Sequence, residues 1–175
     1  MIARFAVFVA ALGSVVAFGA GLAGAGGKHG GEAAHVFSFG APGKARDVSR
    51  TIAVKAGDMN FQIESLRIRD GETIRFVVSN VDEIDHDFTI GPPALQARHR
   101  AEMMEMMQSG QDMAKLHDDA NAVYLKPGET KELIWSFRNV ARLEFACNVP
   151  GHYEAGMRGR FHVDPLTSGP RHATQ

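Results

Sequence analysis

The sequence predicts an all-β fold, an antiparallel Greek-key β-sandwich interrupted by one Met-rich helical insertion. Two stretches, from Thr51 to Ser79 and from Leu133 to Val163, alternate apolar and polar residues with the period of a strand. Turn residues punctuate them at Asp70-Gly71 and Lys126-Pro127-Gly128. Between them, residues 94–117 contain no β-branched residue and are rich in Ala, Met, Gln and Glu, all fair helix formers. Several short strands separated by turns are the pattern of a sandwich or barrel.

The elements follow in order. A short edge strand is expected at Val36 to Phe39, within a Gly- and Ala-rich leader. Ile52 and Val54 share a parity, as do Met59, Phe61 and Ile63, all expected to face the core. Leu66 and Ile68 take the opposite parity, which predicts a bend or bulge near Glu64-Ser65. Ile74, Phe76 and Val78 face one way, Thr73, Arg75 and Ser79 the other. His86 shares parity with Phe88 and Ile90 and should point inward. Gly91-Pro92-Pro93 opens a helical insertion over 94–120. Leu133, Trp135 and Phe137 alternate with Glu132, Ile134 and Ser136. Leu143, Phe145 and Cys147 alternate with Arg142, Glu144 and Ala146, and Phe161 and Val163 with Arg160 and His162.

The chain of 175 residues suits one ordinary domain. A formal net charge of -1 supplies no field pointing to nucleic acid or anionic lipid. Arg4, the charge-free apolar run from Phe5 to Ala20 and the small residues Ala23-Gly24-Ala25 read as a signal peptide over 1–25. Residues 26–50 are expected as a flexible leader, 51–165 as the folded domain and 166–175 as a flexible tail. Export, with a periplasmic destination and no membrane span after cleavage, makes the one cysteine informative. Cys147 has no internal partner for a disulfide, so it is a metal thiolate, an intermolecular bridge or an inert thiol.

Its neighbours decide. Cys147-Asn148-Val149-Pro150-Gly151-His152 is followed by Met157, a Cys-x4-His-x4-Met spacing in one loop, with His86 placed inward from a distant strand. Thiolate, two imidazoles and a thioether are the donor set of a blue-copper centre: thiolate favours Cu(I), imidazole tolerates both oxidation states, and a long thioether contact leaves the site trigonal. Zinc usually takes more sulfur or nitrogen than this loop supplies. Pro150, Gly151 and Gly156 let the backbone turn tightly.

These residues resemble the ligand loop of cupredoxins, the type 1 blue-copper proteins. His86-Asp87-Phe88-Thr89-Ile90-Gly91 is similar to their upstream histidine segment, and Lys55-Ala56-Gly57-Asp58-Met59 and Leu125-Lys126-Pro127-Gly128-Glu129-Thr130 are similar too. The resemblance runs from about Thr51 to Asp164 and is closest to small periplasmic cupredoxins linked to bacterial copper tolerance, which also carry a Met-containing insertion. It implies one copper ion on His86, Cys147, His152 and Met157, with Met157 as the weak axial donor. It also implies a role in copper tolerance or, alternatively, single-electron transfer with a redox or copper-handling protein partner. No enzyme is expected, because the additional His clusters of oxygen- or nitrite-reducing copper enzymes are missing from the sequence.

Weaker signals surround this set. His99, Met103, Met104, Met106, Met107, Met113 and His117 either form a second, softer copper site or pack the helix onto the sandwich. His162 should lie on the surface, and Asp118-Asp119 should be a solvated pair. Backbone amides near Asn80 and Asn148 are expected to brace the loops or bond the sulfur. Gly27-Lys28-His29 would chelate Cu(II) only if cleavage fell after Gly26.

Overall fold

The computed structural model describes residues 37–63, 66–114 and 119–163. The expected signal peptide, the Gly27-Lys28-His29 motif, the Glu64-Ser65 bend, His117, Asp118 and the C-terminal tail lie outside these residues.

Among the described residues eleven strands follow in chain order: β1 Gly40–Pro42, β2 Arg50–Gly57, β3 Asn60–Ile63, β4 Arg67–Ile68, β5 Thr73–Asn80, β6 His86–Gly91, β7 Ala122–Leu125, β8 Thr130–Phe137, β9 Glu144–Ala146, β10 Arg158–Arg160 and β11 His162–Val163. The helices are α1 Pro93–Gln108 and the single turn α2 His152–Ala155. One sheet runs in the order β1-β8-β5-β2-β3 and the other β10-β9-β6-β7, with β11 and β4 forming a small extra pair. The expected β-sandwich is present. The second sheet is antiparallel, but the first is mixed, with β2 parallel to β5, and the small β11–β4 pair is parallel. Alternation reports which face a residue takes and carries no strand direction, so this pairing was outside its reach.

The core forms where the inward parities meet. Ile52, Val54, Ile74, Phe76, Val78, Leu133, Trp135 and Phe137 of the first sheet pack with Phe88, Ile90, Leu125 and Phe145 of the second, all buried. Aromatic rings tie the layers together: Phe76 lies 5.4 Å from Phe88, and Phe61 makes edge contacts with Phe88 at 5.3 Å and Phe145 at 5.6 Å. Such pairs add about 0.5–1.5 kcal/mol beyond their burial.

Three local expectations shift. Val36 lies outside the described residues; among those described, the edge strand β1 begins at Gly40, because Phe37 and Phe39 pack around the Trp135 indole, with centroids 5.5 and 5.4 Å away. Met59 is not a core residue: it sits at the β2–β3 turn with φ 57° and is 36% exposed. The tight reversal between Gly57 and Asn60 overrides its parity with Phe61. Helix α1 stops at Gln108, well before residue 120. Ser109 turns its hydroxyl back to the Glu105 carbonyl at 2.9 Å, and Gly110 follows with φ +68°, the left-handed residue that ends helices. Pro92 and Pro93 begin it, where a missing N–H costs nothing.

Strand β6 departs most from a half-buried strand: all six of its residues are buried. Its inner face meets the core and its outer face lies under α1, whose buried residues are Gln96, His99 and Met103. Spaced i, i+3, i+7, these three make one helix face, and two of them are polar. That face is built to meet polar groups.

Candidate metal centre

Four elements bring the donors together. β6 opens with His86, β9 runs directly into Cys147, α2 opens with His152, and Met157 precedes β10. The loop from β9 to β10 is closed by its own backbone. The Cys147 N–H donates to the Met157 carbonyl at 3.0 Å, His152 N–H to Val149 O at 3.0 Å, and Met157 N–H to His152 O at 3.0 Å. Gly151 and Gly156 take φ of 90° and 105°, which L side chains rarely adopt, so these two glycines permit the turn on either side of α2.

The side chains converge. One donor atom from each of His86, Cys147 and His152 lies within 4.8 Å of the others. Cys147 Sγ is 3.3 Å from His152 Nδ1 and 3.8 Å from His86 Nδ1. The imidazole centroids are 5.1 Å apart with planes at 59°. Met157 is fully buried in the same apolar cluster as Cys147, together with Ala56, Met103, Tyr124 and Val149. Among the described residues this is the one group of three His, Cys, Asp or Glu side chains so arranged.

The set suits a first-row metal ion. Imidazole nitrogen and thiolate sulfur bind such ions at about 2.0–2.3 Å, so three donors in a trigonal plane stand about 3.6 Å apart. The two sulfur–nitrogen separations bracket that value. One sulfur, two nitrogens and a neighbouring thioether match copper better than zinc.

Burial sets the protonation of the metal-free site. It lowers the pKa of His86, against the opposing pull of Asp82, whose carboxylate is 3.5 Å from Nε2. It lowers that of His152 too, aided by His86. Both rings are therefore neutral at neutral pH, as ligands must be. Burial pushes the Cys147 thiol well up, and the negative charge of Asp87 pushes it further. Without metal, Cys147 is a thiol.

A polar network supports the loop, and its central member was not anticipated from the sequence. Asp87 is fully buried. Its backbone N–H points at Cys147 Sγ at 3.4 Å, and the N–H of Val149, the residue after Asn148, is a second backbone donor to the sulfur. The Asn148 N–H donates instead to Asp87 Oδ1. Thr89 Oγ1 donates to Asp87 Oδ2 at 2.7 Å, and Asn148 Nδ2 donates to Gln96 Oε1 at 2.8 Å. Gln96 in turn donates to the Thr89 carbonyl at 2.9 Å. Asn80 braces the other loop, donating to Ile84 O at 2.7 Å and Leu125 O at 3.2 Å and accepting from the Asp82 N–H at 2.9 Å. The polar inner face of α1 was the available signal, since Gln96 and His99 fall on the same side as Met103.

The insertion's sulfur atoms divide. Met103 is fully buried against the Cys147–Met157 cluster, and Met113 packs beside it. Met104 and Met107 are 38% and 47% exposed, and Met106 is half-buried. His99 faces the Asp87 carboxylate at 3.4 Å. His162 is exposed, as expected, and so is Asp119.

Comparison with known proteins gives a consistent picture. The profile of the copper binding proteins, plastocyanin/azurin family, matches residues 48–164. The chain is 41% identical to the copper-resistant cuproprotein CopI of Pseudomonas aeruginosa, over 75% of this chain and 86% of that one. It is 40% identical to the CopI of Rubrivivax gelatinosus, over 71% and 73%. Among solved structures, auracyanin B superposes with a TM-score of 0.57 at 21% identity, over 73% of this chain and 97% of that one. The reduced auracyanin of Roseiflexus castenholzii gives 0.56 at 22%, over 67% and 99%. These two likenesses are of fold. No helix of the described residues is long and apolar enough to cross a membrane.

Proposed function

Because this chain belongs to the plastocyanin/azurin family of copper-binding proteins, we propose that it is an exported copper-tolerance protein holding one redox-active copper ion on His86, Cys147, His152 and Met157. The observation that carries the reading is the convergence of one sulfur and two imidazole nitrogens within 4.8 Å, beside a buried thioether residue. Tolerance rests on the CopI relatives, whose name is copper-resistant cuproprotein. Export rests on the apolar N-terminal run and on a cysteine that has no partner for a disulfide.

Copper held by a thiolate, two imidazoles and a thioether supplies one-electron chemistry. The protein's own residues do the rest. The closed loop fixes Cys147 and His152, and Asp87 holds the step after Cys147. Val149 and Met103, buried in the same cluster as Cys147, help to keep water from the sulfur. His152 is 7% exposed and His86 fully buried, so His152 offers the edge through which a redox or copper-handling partner reaches the centre. That edge favours single-electron transfer as the second reading. Met104 and Met107 remain accessible for a weaker second ion.

The test is copper titration of the purified chain, read by metal analysis and visible spectrum, with copper survival of cells carrying wild type or Cys147→Ser. One tightly held ion with an intense thiolate-to-copper absorption, and survival lost in the variant, supports the proposal. Absence of that absorption in wild type sinks the site assignment. Survival unaffected by Cys147→Ser leaves electron transfer as the better account.

A further inference from the structure

Asp87 is a carboxylate with no exposed surface, set beside the residue that carries the thiol. Burying a lone charge costs several kcal/mol, about what its partners must offset. Three come from the sandwich: the Asn148 N–H, the Asn148 side-chain amide at 3.5 Å and the Thr89 hydroxyl. All three are neutral. The cationic partner comes from outside the sandwich: His99 of α1, 3% exposed, with Nε2 3.4 Å from Asp87 Oδ2. Its other nitrogen, Nδ1, lies 3.8 Å from Glu102 Oε2. Carboxylates facing both nitrogens favour the charged ring, the imidazolium.

We propose that His99 is a positioning residue for the metal centre: its ion pair with Asp87 docks the insertion helix on β6 and holds the Cys147–Asn148 step in place. The inference rests on copper as the bound ion for its redox consequences but not for its structural ones. Burial disfavours the charged ring, and the carboxylates of Asp87, Asp119 and Glu102 together outweigh it, leaving the pKa of His99 raised. The pair does two things. It fixes the carboxylate that receives the Asn148 N–H, and with it the residue after the sulfur. It also cancels a negative charge that would otherwise favour Cu(II) over Cu(I). The insertion is thus part of the support of the site.

The test uses the full chain with His99→Leu, His99→Gln, Asp87→Asn/His99→Leu and, as a packing control on the same helix, Leu95→Ala. In the metal-free protein, His99→Leu should speed hydrogen exchange of the Asn148 amide at least tenfold, whereas His99→Gln, which keeps a donor, should change it less. In the copper-loaded protein both single variants should lower the reduction potential. A tenfold swing in the Cu(II)/Cu(I) affinity ratio reads as about 59 mV for one electron. The double variant, with no charge left to offset, should recover most of that shift. Leu95→Ala should lower stability and leave the potential unchanged. Unaltered exchange and potential in His99→Leu would overturn the proposal, as would an equal shift in Leu95→Ala. If His99→Leu does not fold, the His99→Gln potential decides. If wild type binds no copper, the exchange rates still decide the structural claim.

Discussion

Cys147 Sγ and His152 Nδ1 stand 3.3 Å apart, five residues apart in sequence, across a turn closed by the Cys147 N–H on the Met157 carbonyl. The backbone therefore holds both side chains in place.

Copper uptake should release a proton. The Cys147 thiol is held protonated by burial and by Asp87, while both histidines are already neutral at pH 7. Isothermal titration in buffers of different ionisation enthalpy should report about one proton released per ion. Affinity should rise with pH through the neutral range and fall in acid as the histidines protonate. Cys147→Ser should abolish the release, and an unchanged proton count in that variant would contradict the assignment.

Met157→Leu should fold and keep its copper. The swap conserves volume at a fully buried position and should cost less than about 1.5 kcal/mol. Loss of a donor disfavours the more highly charged ion, so the reduction potential should rise. Voltammetry beside the visible spectrum checks both points.

Gly159→Ala should unsettle the centre from a distance. A Cβ there would run into the Phe145 ring, whose residue lies two before Cys147 on the paired strand. Overpacking of this kind costs about 1–3 kcal/mol. Met103→Ala should cost about 2–5 kcal/mol by leaving a cavity, whereas Met107→Ala, at an exposed site, should stay within about 0.5 kcal/mol. Denaturant melts rank the three.

Acid should weaken the start of the β2–β5 pair through Glu72. Burial alone would raise its pKa, but the Arg50 guanidinium, at 2.7 and 3.2 Å, and the Arg69 N–H at 3.0 Å bring it below the ordinary value. A lowered folded pKa gives stability that is present above the unfolded value and lost as pH falls through the folded one. Glu72→Gln should therefore be less stable by about 1 kcal/mol at pH 7, a figure kept small because the pair is partly exposed. Its melting curve should merge with wild type in strong acid.

Parity made much of this legible. The inward faces of Ile52, Phe76, His86, Trp135 and Cys147 follow from alternation, because a strand with one face on a core permits only that register. Loop spacing grouped Cys147, His152 and Met157 for the same reason that a short chain has little reach. Alternation failed at Met59, where a tight turn outweighs it, and it could not give the parallel pairing of β2 with β5. It also could not reveal Asp87. A strand covered on both faces has no outward side for alternation to mark.

The double cover of β6 limits how this protein can be reduced or borrowed. A minimal version cut down to two sheets would leave a bare carboxylate next to the sulfur. It would require a neutral residue at position 87 to survive. Grafting the Cys147–Met157 segment onto another sandwich without residues 93–108 would transfer the donors and leave behind what steadies them.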